Sequence, residues 1–150
     1  MNSNLDKDKA AQRVERAVSC FKEGFSCSQA ILSTYGEELG IDKATALKIS
    51  APFGGGMARM GETCGAVTGA FMVIGLRHAV SKEEKEKLYC LINKFAERFK
   101  SKNASIVCKE LLGYNIGTAE GKKAVKEKGL IDTLCPKLVR DAAEILEEIL

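Results

Sequence analysis

The chain has 150 residues, 23 basic and 20 acidic, for a net charge of +3, with 45% hydrophobic and 29% charged composition. Such a balance suits a folded domain with a real core, and the two signs mix along the same segments, so no concentrated basic footprint for nucleic acid or an anionic membrane is expected. The polar start Met1-Asn2-Ser3-Asn4 lacks the apolar run of a secretory signal and no later stretch is long enough to span a bilayer, so the chain reads as cytoplasmic.

The apolar period is helical nearly everywhere, and no run alternates as a strand would. The expectation is an all-α fold, one domain over 1–150, built as a bundle of about six to seven helices. A first helix spans about Asp8 to Glu23, with Val14, Ala17, Val18 and Phe21 on one face and Gly24 ending it. Ser26 followed by Gln29 is a capping-box pattern, which starts a second helix at Cys27 that runs to near Gly40. A third begins at Asp42 and stops by Ser50, before Pro52 and a glycine-dense loop.

That loop, Phe53-Gly54-Gly55-Gly56-Met57-Ala58-Arg59-Met60-Gly61-Glu62-Thr63, delivers Cys64 to the start of a central helix reaching about Ala79. Gly65, Gly69 and Gly75 weaken helix propensity there, so they point to a neighbouring backbone in close approach. A charged helix follows from about Lys82 to Lys100, with Leu88, Leu91, Ile92, Phe95 and Phe99 as its core stripe. Ser105 is expected to cap a short helix carrying Cys108 to Leu112, ended by Gly113. A polar helix spans Ala119 to Lys128. In the last helix Pro136 takes the first position, which puts Cys135 at the cap, and Leu138, Val139, Ala142, Ile145, Leu146 and Ile149 form the apolar face.

Four of the six cysteines, Cys27, Cys64, Cys108 and Cys135, therefore fall at or within the first turn of a helix. Unpaired amide hydrogens and the helix dipole lower a thiol pKa there and favour thiolate chemistry. Six cysteines in a reducing compartment are explained better by metal binding or redox function than by structural disulfides. Cys20 and Cys90 sit in helix interiors and read as packing residues.

At these residues the chain resembles the C_GCAxxG_C_C family of redox-active proteins, which are about this length and carry four cysteines with a C-G-A-x-x-G motif. Here the motif is Cys64-Gly65-Ala66-Val67-Thr68-Gly69, with Cys27 upstream in Phe25-Ser26-Cys27-Ser28-Gln29-Ala30 and Cys108 and Cys135 downstream. The resemblance covers most of the chain and implies a redox role without naming a substrate.

Three readings follow. In the first, Cys27, Cys64, Cys108 and Cys135 are ligands of one metal centre, an iron–sulfur cluster or zinc. Four helix starts meeting would gather about +2 of partial charge at about +0.5 each. A tetrathiolate zinc or an oxidised 2Fe–2S centre, at about −2, would balance it. Charge balance tips the preference to this reading, although none of the four forms a C-x-x-C pair. In the second, Cys64 is the attacking thiolate of a metal-free thiol–disulfide oxidoreductase or redox sensor and one of the other three resolves. In the third, the protein is a small-ligand or interaction module whose loop from Gly54 to Gly61 forms an amide nest, though it lacks a P-loop ending and a preceding strand.

Arg59 reads as a solvated side chain outside the site. His78 ends the central helix, where a cation suits the dipole, and lies about 20 Å from Cys64 along that helix, which removes Cys–His hydrolase chemistry. An electron-transfer role needs a redox partner that the sequence does not name, and apolar helix faces leave room for a homodimer.

Overall fold

A computed structural model describes residues 3–79 and 81–150. Among them the fold is all-α, as the apolar period predicts. The helices are α1 (Ser3–Lys22), α2 (Cys27–Gly36), α3 (Lys43–Ser50), the single turn α4 (Gly54–Met57), α5 (Gly65–His78), α6 (Lys85–Asn103), α7 (Cys108–Leu112), α8 (Ala119–Glu127), α9 (Leu130–Thr133) and α10 (Cys135–Ile149). Seven of these run for eight residues or more.

Several helix ends follow the expected chemistry. Ser26 and Gln29 make the reciprocal capping box: Gln29 N–H donates to Ser26 Oγ at 3.3 Å and Ser26 N–H to Gln29 Oε1 at 3.0 Å. Asp42 caps α3 through Thr45 N–H at 3.0 Å. Two ends differ. Ser105 does not cap α7; its hydroxyl accepts from Val107 N–H two residues on, and the cap position is Val107 with no side-chain bond. Thr118, for which the sequence reading assigns no role, caps α8 by accepting from Gly121 N–H at 3.0 Å.

The main core is formed by α1, α2, α5, α6 and α10, with Ile31, Leu32, Val67, Ile74, Phe95, Phe99, Val139, Ile145 and Leu146 fully enclosed. Each such side chain contributes about 1.5–3 kcal/mol relative to exposure. Of the expected α6 stripe only Phe95 and Phe99 are fully buried, while Leu88, Leu91 and Ile92 are partly covered.

The glycines of α5 act as their spacing suggests where α2 crosses. A Cβ at Gly65 would lie 3.0 Å from Ser28 N and 3.2 Å from Cys27 Cβ, and one at Gly69 would lie 3.0 Å from Ser28 O. The two backbones thus meet directly, and Cys27 is brought over the start of α5. Gly75 meets nothing within 4 Å. At the far side of the core Arg13 grips Glu147 with two bonds of 2.6 and 2.8 Å, and Tyr35 Oη donates to the same carboxylate at 3.0 Å, tying α1, α2 and α10 together. Among the described residues no helix is long and apolar enough to cross a membrane.

Candidate four-cysteine site

The glycine loop adopts an uncommon conformation. Gly55, Gly56, Met57, Ala58 and Arg59 all have left-handed backbone, with φ between +49° and +67°. Three of them carry a side chain, and each costs about 1–2 kcal/mol there. The turn is held by its own main chain: Ala58 N–H donates to Pro52 O at 2.8 Å, Arg59 N–H to Gly54 O at 3.2 Å, Gly61 N–H to Gly55 O at 3.2 Å and Glu62 N–H to Gly56 O at 2.9 Å. These four amides are therefore bonded within the loop itself.

The loop then pairs with the start of α7. Cys64 N–H donates to Ile106 O at 2.7 Å, Cys108 N–H to Glu62 O at 2.6 Å, and Thr63 and Val107 form an isolated antiparallel bridge. This short pairing sets Cys64, which caps α5, beside Cys108, the first residue of α7. Gly56 makes it possible, since a Cβ there would stand 2.7 Å from Cys108 Cβ. Gly65 does the same for Cys27, the first residue of α2. Cys135 opens α10 beside Pro136 and packs with Cys108, Leu112, Ile116 and Val125 in a second, smaller apolar cluster.

All four cysteines line one pocket of about 1010 Å³. Cys64, Cys108 and Cys135 are buried and Cys27 is partly so. The neighbouring thiols of Cys135 and Cys64, with burial, push the Cys27 pKa well above the ordinary thiol range. Cys64 moves the other way. The Cys27 thiol first, and then the Ala66 and Val67 amides at the start of α5, lower its pKa against the opposing effect of burial. Burial, and then the charges of Cys64 and Cys135, push the Cys108 thiol up to about 12.

Helix starts therefore do not act equally. The first turn of α5 serves Cys64 as expected. By contrast α7 is a five-residue helix, and α10 is preceded by Leu134, which already has helical dihedrals and accepts from Leu138 N–H at 3.1 Å. The unpredicted turn α9 runs almost directly into α10, so Cys135 does not sit at an open helix end. Among the described residues no three His, Cys, Asp or Glu side chains are grouped so as to hold a metal ion.

Cys20 is buried, its sulfur 3.6 Å from Ser33 Oγ, in the packing role the sequence suggests. Cys90 is not a packing residue; it is exposed on α6. His78 also differs from expectation. Burial, then Lys87 and Arg77, lower its pKa, and its Nε2 is enclosed without a hydrogen-bond partner among the described residues, so the charged form that would suit the helix end is disfavoured. Arg59 lies on the pocket lining, joined by Lys22, Lys122 and Lys126, which sequence reasoning did not single out.

Residues 25–149 match the family described as "Putative redox-active protein (C_GCAxxG_C_C)". The chain belongs to this family. Its label places one cysteine before the motif and two after, as Cys27, Cys108 and Cys135 stand here. The alanine-x-x-glycine spacing is kept at Ala66 and Gly69, with Cys64-Gly65 where the label has Gly-Cys. Comparison with curated proteins and with solved structures gives no match.

Proposed function

We propose that this redox-active protein works by thiol–disulfide exchange, with Cys64 and Cys27 as its dithiol couple. The observation that carries the reading is the close crossing of α2 and α5 at Gly65, which brings Cys27, the first residue of α2, beside Cys64 at the cap of α5, where the Cys64 pKa is lowered and the Cys27 pKa raised. One sulfur favours the thiolate and its neighbour keeps the proton, the asymmetry that an attacking and a resolving thiol need.

The exchange is balanced as follows. The Cys64 thiolate attacks one sulfur of a substrate disulfide, that S–S bond breaks, and the first substrate thiolate leaves. Cys27 then attacks the mixed disulfide at Cys64, its proton passes to a departing thiolate, and the second substrate half leaves. Two electrons move from the Cys27–Cys64 dithiol to the substrate, and an external dithiol restores the reduced pair. Cys135 lines the same pocket and raises the Cys27 pKa, so the new disulfide can move to Cys27–Cys135 by a further exchange, which makes Cys135 a second resolving thiol.

A second reading keeps the four cysteines as ligands of zinc or an iron–sulfur cluster. It is favoured by one observation, that Cys27, Cys64, Cys108 and Cys135 all line the same pocket from four separate segments. The two are separated by purifying the protein without oxygen, recording its visible spectrum, and assaying iron, zinc and acid-labile sulfide per chain. A metal-free protein whose Cys27 and Cys64 become linked on mild oxidation, shown by peptide mapping, supports exchange. Stoichiometric metal that protects all four thiols from alkylation overturns it.

A further inference from the structure

The lining of the cysteine pocket has a charge pattern that thiol chemistry alone does not require. Lys22, Arg59, Lys122 and Lys126 border it, against a single acid, Asp132. Lys22 shares its field with Glu15. Arg59, Lys122 and Lys126 have no ion-pair partner among the described residues, although acids are available on the same helix: Glu127 of α8 faces Lys123 instead. Lys122 and Lys126 are four residues apart and so share one face of α8, an arrangement of like charges that weakens a helix unless something negative lies between or opposite them. Gly121 and Val125 form the buried face of α8, and Lys122 and Lys126 stand exposed beside it on the pocket lining. Arg59 lines the same pocket from the left-handed turn, the most strained stretch of the loop.

Size adds a second restriction. Cys64 is only 3% exposed, so a substrate must enter the pocket to reach its sulfur, and a disulfide embedded in a folded protein surface cannot. The remaining lining is largely apolar, including Phe21, Phe25, Leu111 and Ile116, which suits the methylene or backbone atoms of a small molecule.

We infer that the pocket takes a low-molecular-weight disulfide carrying carboxylates, its S–S bond directed at Cys64 and its anionic groups at Arg59, Lys122 and Lys126. This rests on the exchange reading above and adds the substrate class. A carboxylate on each half also suits cations supplied by two separate segments, the glycine loop and α8, since both halves of the disulfide must be held until the first one leaves.

The test compares three aliphatic disulfides that differ chiefly in charge: 3,3′-dithiodipropionate as the dianion, 2-hydroxyethyl disulfide as the neutral case and cystamine as the dication. Each is reduced by the reduced full-length protein, and each rate is divided by that of dithiothreitol with the same disulfide to remove intrinsic reactivity. The expected order is dianion, neutral, dication, with the dianion favoured over the neutral probe by about ten-fold or more at low ionic strength and less as salt is added. In Lys122→Ala/Lys126→Ala the dianion-to-neutral ratio falls toward one, whereas Lys87→Ala, on a distant helix, keeps it. Comparable normalised rates for all three probes overturn the charge assignment and leave the exchange reading standing. Failure of all three to react overturns both.

Discussion

Replacing Gly56 by alanine tests whether the left-handed loop is what positions Cys108. The new Cβ would lie 2.6 Å from Glu62 N, 2.8 Å from Glu62 O and 2.7 Å from Cys108 Cβ, at a residue with φ +66°. The left-handed backbone alone costs an alanine about 1–2 kcal/mol. Because two of the three close atoms belong to main chain that is itself hydrogen-bonded, the crowding cannot be relieved by a rotamer change and adds about 1–3 kcal/mol. The sum, about 2–5 kcal/mol, is a large part of the roughly 5–15 kcal/mol that holds an ordinary domain. Glu62 O also accepts from Cys108 N–H, so displacing Glu62 carries Cys108 with it. The reverse change two residues on should act oppositely. Ala58→Gly relieves about 1–2 kcal/mol of strain at φ +49°, offset by about 0.5–1 kcal/mol from the freer unfolded chain, for a small net gain. Urea unfolding of the reduced protein reads both, and alkylation of Cys108 under native conditions should quicken only in Gly56→Ala. A Gly56→Ala midpoint equal to that of the parent, or an Ala58→Gly variant less stable than the parent, would refute the strain assignment.

Three further outcomes are expected. Removing the Cys27 thiol in Cys27→Ala takes away the leading cause of the lowered Cys64 pKa, so the pH profile of Cys64 alkylation by iodoacetamide moves to higher pH, while Cys27→Ser, which keeps a donor, moves it less; an unmoved profile in Cys27→Ala contradicts the pairing. Ser26→Ala loses the acceptor for Gln29 N–H but keeps the main-chain N–H that donates to Gln29 Oε1, and should lower stability by about 1 kcal/mol in thermal or urea unfolding, whereas an unchanged midpoint would show that the hydroxyl cap contributes nothing. Glu147→Ala leaves the Arg13 guanidinium and the Tyr35 hydroxyl without their shared carboxylate and should destabilise by about 1.5–3 kcal/mol, whereas a loss below about 0.5 kcal/mol would show the cluster to be fully solvated.

The parts of the fold that local rules govern are plain in the sequence. Apolar spacing marks α1, α5 and α10, Ser26 with Gln29 marks the start of α2, and Gly65 and Gly69 signal the close crossing that seats Cys27 over Cys64. Cysteines at helix starts are equally visible, and all four reach one pocket. What is not visible depends on partners distant in sequence. Met57, Ala58 and Arg59 have no intrinsic preference for left-handed backbone; they adopt it because Pro52, Gly54, Gly55 and Gly56 carbonyls capture the amides around them. The Thr63–Val107 bridge joins segments with no shared pattern, so the neighbourhood of Cys64 and Cys108 emerges only in the folded chain. The open-helix reading of Cys135 fails because α9 is a single turn, too short to leave a periodic trace, yet long enough to occupy the end of α10. Lys122 and Lys126 look like any solvated pair until α8 is seen to border the pocket that the thiols line.

The run from Gly55 to Arg59 is also where this chain comes nearest to its own mirror image. A D-residue at position 57, 58 or 59 would occupy the backbone basin that its chirality prefers, with the side chain still attached and without the added freedom of glycine. For a protein assembled by chemical ligation, inversion of a single stereocentre here would ease the fold, whereas the same inversion inside α5 or α10 would break it. The handedness of individual α-carbons, and not only their side chains, is thus part of what sets the entrance to the cysteine pocket.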